Sequence, residues 1–272
     1  MGLFNMSLFI GLSAGPLIGG VIKDRFSLNG AFVCMGALSL VGFVLSLVFL
    51  PPTAEERVVK KGRAPLGWWQ ILSDRTIAGL FLFRLAYTAC IGIIWGFLPV
   101  FADMEFSVSA SGIGILVMLG VLVSGIVQVP MGWLADRLNR KSMIILGGLV
   151  VTGAVYTFEH ANGFQDMFWA SVVFGIGGGI AMPALMAAAV LQGSRSEAMG
   201  SVMALLTVAH SLGMLVGSFM AGVMMDWFQL RQAFVLGALL MATGTALFTA
   251  CTWRTDLSRG AVPAAPPQIP EG

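Results

Sequence analysis

Eight long apolar segments run through the 272-residue sequence and restrict what it can fold into. They lie near residues 1–22, 28–50, 76–101, 111–134, 142–158, 166–190, 198–225 and 230–253. A helix of about 20 apolar residues crosses the roughly 30 Å hydrocarbon core of a bilayer. Continuous apolar runs predict helices, because the strands of a membrane barrel would alternate over about ten residues. We therefore predict an all-α integral membrane protein with eight transmembrane helices, whose first partner is the lipid bilayer.

The composition excludes several other classes of protein. Hydrophobic residues make up 57% of the chain and charged residues only 10%, too few to cover a soluble surface. The net charge of +2 gives no concentrated basic face, so we expect no nucleic-acid partner. The three cysteines form no CxxC pair, and the sequence has no HExxH metal motif. We expect no metal, no cofactor and no enzymatic activity.

Basic residues are distributed unevenly between the loops. Most of the Lys and Arg residues lie in the 51–75, 135–141 and 191–197 loops and after the last apolar segment. The loops on the opposite side hold only Lys23, Arg25 and Arg231. Cytoplasmic loops are enriched in Lys and Arg. The pattern therefore predicts a multi-pass protein of the plasma (inner) membrane with a cytoplasmic C-terminus.

An internal repeat recurs at an offset of 202 residues. The segments 15–38 and 217–240 share ten identical positions, and Asp24 aligns with Asp226 in the loop between two apolar segments. This offset is far too long for a solenoid unit, and it fits two halves of a transporter related by a parallel repeat. Four apolar segments separate the two copies, but none precedes the first copy. If the halves are equivalent, four N-terminal helices of a twelve-helix parent are missing from this chain.

The repeat also divides the sequence. Residues 1–50 correspond to the last two helices of an N-terminal half, and residues 51–75 to a cytoplasmic central loop. Residues 76–255 would form a six-helix C-terminal half. Residues 256–272, which carry four prolines and no apolar period, are expected to be a disordered cytoplasmic tail.

The first apolar segment carries a regular glycine pattern. Its fixed positions are Gly2, Gly11, Gly15, Pro16, Gly19 and Gly20. They resemble the antiporter motif G-x8-G-x3-G-P-x2-G-G in helix five of proton-coupled exporters of the major facilitator superfamily. The spacing alone predicts a stripe of Gly11, Gly15 and Gly19 on one helix face for close helix packing, and a kink at Pro16. Generic packing of two membrane helices is the alternative interpretation.

A second motif lies in the 135–141 loop. Residues 132–141 read GWLADRLNRK, and this segment resembles the loop signature G-x-L-a-D-r-x-G-r-k of the same superfamily. The resemblance implies a gate formed by Gly132, Asp136, Arg137, Arg140 and Lys141. Asn139 replaces the second glycine, and we expect it to accept the left-handed conformation of the turn. A solvated turn that obeys only the positive-inside rule is the alternative.

A few polar side chains inside the apolar segments are candidates to line a substrate cavity. Arg84 is the basic residue well inside a segment, where a charge should face a cavity or a partner. Tyr87, Thr88 and Trp95 continue its face at helical spacing. Gln128 and His210, which are polar residues inside other apolar segments, are further candidates. The cationic and aromatic stripe suits an anionic or aromatic substrate. Snorkelling of Arg84 and simple interhelical hydrogen bonding by His210 are the alternatives.

These features favour a secondary active transporter that works by alternating access. The antiporter motif implies proton-coupled export of a small amphipathic or drug-like compound. No acidic residue lies deep in an apolar segment, so proton coupling is inferred from the resemblance alone. The alternative is a truncated, non-transporting membrane protein or a helix-packing partner. A complete carrier would require the missing N-terminal helices, which the resemblance equates with helices one to four.

Overall fold

The computed structural model describes residues 2–49, 71–227, 229–255 and 257. Within these residues the chain forms eight α-helices and no strand. The helices are α1 (Gly2–Arg25), α2 (Leu28–Phe49), α3 (Arg75–Phe106), α4 (Ala110–Ala135), α5 (Arg140–Glu159), α6 (Phe164–Arg195), α7 (Met199–Trp227) and α8 (Gln232–Cys251). In the described part of the chain, α2 to α8 are each long and apolar enough to cross a membrane. The predicted all-helical membrane fold is confirmed. Most of the predicted central loop (residues 50–70) and tail (256 and 258–272) lies outside the described residues.

Helix α3 extends beyond its predicted apolar segment, and both of its ends are capped. The side chain of Asp74 accepts hydrogen bonds from the backbone amides of Thr76 (2.7 Å) and Ile77 (3.3 Å). This satisfies two of the amide groups that lack a partner at a helix start. At the other end Ser107 adopts a left-handed conformation (φ 51°, ψ 39°) that stops the helix. The result is a 32-residue rod through the middle of the bundle.

The core forms where α3 and α6 pack against the other helices. Helix α3 packs along α7 and α8, while α6 packs along α4 and α5. Backbone contact between α3 and α7 depends on glycine: a side chain at Gly213 or Gly217 would overlap Leu85, Thr88 or Ala89. On α3, a side chain at Gly92 would overlap the backbone of Met214 on α7. Small residues at such positions let membrane helices approach closely.

The glycine run in α6 contacts three different helices. Gly175 and Gly179 lie against α4, and Gly177 lies against α5. A side chain at Gly178 would overlap the hydroxyl of Tyr87 on α3. The run is thus a packing segment at the centre of the bundle rather than a phosphate-binding loop.

The two copies of the repeat fold into equivalent helix pairs with different surroundings. Residues 15–38 fall on α1 and α2, and residues 217–240 fall on α7 and α8. Helix α8 has eight buried residues, including Phe234 and Phe248, whereas α2 has none. Among the described residues, the second copy is therefore embedded in the bundle, and the first is attached to it mainly through the contact of α1 with α4.

The loops predicted to be cytoplasmic meet at one end of the bundle. Gln192 at the end of α6 donates to Asp74 at the start of α3 (3.3 Å), and the hydroxyls of Thr76 and Thr255 lie 3.2 Å apart. At the other end Arg231 binds the carboxylate of Glu105 (2.8 Å) and the carbonyl of Glu159 (2.9 Å). The grouping of the loops agrees with the predicted topology, and which end faces the cytoplasm stays a prediction.

Candidate substrate cavity and gating loop

A cavity of about 370 Å³ opens between α1, α3, α4, α5, α6 and α7. Five of the six side chains predicted to line such a cavity do so: Arg84, Tyr87, Trp95, Gln128 and His210. Drug-sized ligands occupy pockets of roughly 300–1,000 Å³ that are mostly apolar with a few placed polar groups. The size and lining are therefore those of a small-molecule site.

Arg84 projects from α3 and connects it with two other helices. Its Nη2 lies 3.3 Å from Nδ1 of His210 on α7, and its Nη1 lies against the sulfur of Met182 on α6. Arginine has only donors, so Nδ1 of His210 is the acceptor and a neutral ring carries its proton on Nε2. The Nε of Arg84 is buried and has no hydrogen-bond partner among the described residues. The guanidinium thus has unused hydrogen-bonding capacity inside the bundle.

Thr88 is the predicted lining residue that the structure does not bring to the cavity. It is fully buried, and its hydroxyl donates to the carbonyls of Arg84 (2.9 Å) and, on α7, of Ala209 (3.2 Å). A threonine in a helix readily bonds back to the preceding turn. Thr88 therefore faces the contact between α3 and α7, where it lies against Gly213.

The remaining walls are aromatic and weakly polar. Tyr87 stacks on Phe174 of α6 with ring centroids 5.9 Å apart and an interplanar angle of 5°. Sequence reasoning missed Phe9, Ser124, Phe174 and Ser171, all of which line the cavity. Ser124 could have been predicted from the sequence, because it lies one helical turn before Gln128. In the structure its hydroxyl accepts a hydrogen bond from the side-chain amide of Gln128 (3.2 Å). The hydroxyl of Ser171 is buried and has no partner among the described residues.

The glycine stripe of α1 does not form the contact with α4. A Cβ built on Gly11, Gly15 or Gly19 would meet no described atom within 4 Å. The contact uses Gly20, where a Cβ would overlap the backbone of Ala110, and Pro16, whose carbonyl lies against Gly114 of α4. The stripe is real, but it lies on the face of α1 that is turned away from α4. Gly2 lies in the first turn of α1.

Asp24 fixes the end of α1 to the beginning of α4. Its carboxylate accepts hydrogen bonds from the backbone amides of Ala110 (3.1 Å) and Ser111 (2.7 Å). Hydrogen bonds from Ser111 lower the pKa of Asp24 below its ordinary value of 3.8, since they stabilise the charged form. Asp24 lies one helical turn beyond Gly20, so the close contact and the cap share one face of α1.

Arg140 carries the contacts of the gating loop that are most deeply buried. Its Nε donates to the carbonyl of Ala135 (3.1 Å) at the end of α4, and its Nη1 to that of Leu257 (3.4 Å). Asp136 lies 3.9 Å from Arg140, but its side chain is 76% exposed. The contact between Asp136 and Arg140 is thus peripheral, and the guanidinium of Arg140 binds the carbonyls of Ala135 and Leu257 instead.

Lys141 fastens the same loop to the end of α8. Its Nζ donates to the carbonyls of Thr252 (2.7 Å) and Trp253 (3.3 Å). Cations are favourable at helix C-termini, where carbonyls lack partners. Asn139 does not adopt the expected left-handed conformation: it has φ −70° and ψ 109°, and its side chain accepts the amide of Lys141. Asparagine serves here as an N-cap of α5.

The two other gate residues have peripheral positions. The guanidinium of Arg137 stacks on the ring of Trp133 at 3.7 Å. Gly132 lies in the last turn of α4, with no described atom within 4 Å of a Cβ built on it. Among the described residues of the predicted gate, Arg140 and Lys141 therefore make most of the contacts.

A serine motif in α1 lacks the geometry of a nucleophile. Residues 11–15 read GLSAG, which has the letters of a G-x-S-x-G elbow. Such an elbow places its serine on a sharp turn between a strand and a helix. Ser13 instead lies inside α1 and donates to the carbonyl of Ile10 (3.0 Å). The glycines here serve a membrane helix.

Taken together, the helical fold and the apolar length of its helices define a polytopic membrane protein with a central cavity. The sequence profile of the Major Facilitator Superfamily matches residues 1–105 and 80–268. The chain belongs to the major facilitator superfamily.

Individual relatives agree with this assignment. An uncharacterized MFS-type transporter of Methanocaldococcus jannaschii is 23% identical over 92% of this chain and 63% of its own length. The mouse MFS-type transporter SLC18B1 is 25% identical over 91% of this chain and 57% of its own length. The chain spans about three-fifths of the length of these curated relatives.

Two further similarities are more partial. The quinolone resistance protein NorA of Staphylococcus aureus is 27% identical over 49% of this chain and 35% of its own length. The crystal structure of a peptide transporter POT mutant in complex with sulfate superposes with a TM-score of 0.59. The aligned region is 17% identical and covers 70% of this chain and 42% of that one, so it shows the shared fold.

Proposed function

We propose that this chain is part of a secondary active transporter that moves a small amphipathic compound by alternating access. The cavity around Arg84 carries the proposal. It has the volume of a small-molecule site and is lined by residues of six helices. One of these helices, α1, precedes the central loop and belongs to the other half of the repeat. A site shared between two halves can be exposed to each side in turn when the halves rock. A protein that served only as a helix-packing partner would not require such a cavity.

Two contacts hold helix ends in the conformation that the structure shows. Asp24 and Gly20 join α1 to α4 at one end of the bundle. Arg140 and Lys141 join α4, α5 and the end of α8 at the other end. Both contacts consist of a few hydrogen bonds at helix ends, which can form or break in a rigid-body movement. A change of a few kcal/mol is enough to reverse such an equilibrium.

Export coupled to protons is the finer part of the proposal. The helix-five motif supports it, and so does the partial similarity to a quinolone resistance protein. The acidic residues among the described part of the chain lie in loops or in the first or last turns of helices. A membrane-embedded proton carrier would then come from the first helices of the parent protein. We place the protein in the plasma membrane with the gating loop on the cytoplasmic side.

Everted membrane vesicles test the proposal. Vesicles that contain the full-length protein are energised, and the uptake of three naphthalene probes is measured: the permanently anionic naphthalene-2-sulfonate, the neutral naphthalene-2-sulfonamide and the cationic (2-naphthylmethyl)trimethylammonium. The sulfonate and the quaternary ammonium group keep their charges at every pH used, so a pH gradient alone does not drive these two probes across the membrane. We expect at least one probe to accumulate, and an uncoupler to abolish this accumulation. Uptake equal to that of vesicles without the protein for every probe would contradict transport, and uptake that survives the uncoupler would contradict proton coupling.

A further inference from the structure

The charge of the cavity indicates the charge of its occupant. Of the described residues that line it, Arg84 is the only one with a permanent charge, and none is Asp or Glu. Its guanidinium contacts a ring nitrogen of His210 and the sulfur of Met182, and neither supplies a negative charge. A cation inside a membrane protein is costly unless it meets an opposite charge or water. The described cavity therefore holds an arginine whose counter-charge is absent from its walls.

The hydrogen-bonding groups have the same bias. The Nε of Arg84 is a buried donor without a partner, and Nε2 of a neutral His210 is a second donor. Ser171 and Tyr87 line the same cavity, and each carries a hydroxyl group. A guanidinium presents several donors in a fixed plane that matches an anionic oxygen pair. The described lining therefore offers hydrogen-bond donors to an anion and no negative charge.

The other walls define the body of the occupant. Phe174 stacked on Tyr87, together with Phe9 and Trp95, gives a broad aromatic surface. Such surfaces bind flat apolar groups through dispersion and offset stacking. With a volume of about 370 Å³, the cavity has room for one or two fused rings with a charged substituent.

We propose that the substrates of this site are amphipathic organic monoanions: an aromatic or apolar body with one carboxylate or sulfonate, whose oxygens bind Arg84. This inference rests on the proposed transport function and specifies its substrate class. Arg84 is the residue that selects for negative charge. A positively charged compound of the same shape would meet an unpaired cation and no acid from the described walls.

Equilibrium binding to the purified full-length protein in lipid nanodiscs tests this inference, with the same three naphthalene probes. We expect the sulfonate to bind at least tenfold more tightly than the sulfonamide or the ammonium compound. Arg84→Gln should weaken sulfonate binding at least tenfold, and Arg84→Lys, which keeps the charge but loses the planar fork, should weaken it less. Arg254→Gln, which removes an exposed cation elsewhere, should leave binding unchanged.

The outcomes separate this inference from the transport proposal. Tighter binding of the ammonium probe would overturn it and would show that a carboxylate from elsewhere in the protein neutralises Arg84. Failure of the sulfonate to bind, or equal sulfonate affinity in the parent and in a folded Arg84→Gln protein, would also overturn it. Selective sulfonate binding without gradient-driven uptake would support the anion site and contradict transport. Driven uptake of the ammonium probe would support transport and overturn the anion site.

Discussion

The Nη2 of Arg84 lies 3.3 Å from Nδ1 of His210, although the two residues are 126 positions apart in the sequence. The contact joins α3 to α7 beside the cavity. Because Nδ1 must accept this hydrogen bond, His210 orients the guanidinium that we assign to substrate binding. The pair therefore gives the histidine a positioning role.

Replacement of His210 tests that role. His210→Phe should raise the dissociation constant of naphthalene-2-sulfonate about tenfold, because a hydrogen bond to a charged group contributes roughly 1.5–3 kcal/mol. His210→Asn keeps a carbonyl acceptor and should stay within about threefold of the parent protein. Binding titrations of the two variants with naphthalene-2-sulfonate separate the outcomes. Equal losses of affinity would mean that the hydrogen-bond acceptor at position 210 does not matter, and no loss in either variant would mean that His210 does not contribute to the site.

The contact between α1 and α4 makes a sharp prediction about two adjacent glycines. Gly20→Ala should destabilise the protein by about 1–3 kcal/mol, since its methyl group would overlap the backbone of Ala110. Gly19→Ala is the matched control, because a methyl group there meets no described atom within 4 Å. Thermal unfolding in one detergent should rank Gly20→Ala below Gly19→Ala. The opposite order would show that the glycine stripe, and not Gly20, forms the essential contact.

The hydrogen bonds of Asp24 lead us to expect that the stability of the contact between α1 and α4 depends on pH. Because hydrogen bonds in the folded state lower its pKa below 3.8, the carboxylate contributes stability that is present above that value. This contribution is lost as the pH falls further through the lowered pKa. Asp24→Asn should melt at a lower temperature at neutral pH, and the gap to the parent protein should close as the pH falls through that range. Asp103→Asn, an exposed change near the same end, serves as the control. A gap that does not change with pH would refute the assignment.

Lys141 predicts a local effect at the gate. Lys141→Gln removes the ammonium group that caps the carbonyls of Thr252 and Trp253, and hydrogen exchange at the end of α8 should become about tenfold faster. Arg137→Gln, whose guanidinium only stacks on Trp133, should leave that exchange within about twofold of the parent protein. Exchange that responds equally to both changes would show that general loop charge, rather than the Lys141 cap, holds the end of α8.

Local periodicity explains which parts of the site the sequence could predict. Arg84, Tyr87 and Trp95 fall on neighbouring faces of one apolar helix, so their common exposure to a cavity follows from helical geometry. Thr88 shares the face of Arg84, yet its short hydroxyl bonds back to its own helix and to Ala209. The reach of a side chain, and not only its angle around the helix, decides whether it enters the cavity.

The contacts between helices are the part that the sequence could not supply. The spacing of Gly11, Gly15 and Gly19 predicts a stripe of small residues on one face of α1, but it does not identify the helix that packs against this face. The side of α1 that meets α4 is set by Gly20 and Asp24, whose partners lie more than 80 residues away. In the 135–141 loop, likewise, the resemblance implied a gate that includes Asp136, whereas Arg140 and Lys141 bind carbonyls that no motif specifies.

Accessibility of the cavity from both sides of the membrane is the measurement that best separates alternating access from a static cavity. Ser124→Cys, at a buried cavity position, is introduced into a full-length protein in which Cys34, Cys90 and Cys251 are replaced by serine. A membrane-impermeant methanethiosulfonate is then applied to right-side-out and to everted vesicles. Alternating access predicts labelling from both sides, with a proton gradient raising one rate and lowering the other. Labelling from one side alone under every condition, or from neither, would contradict the account.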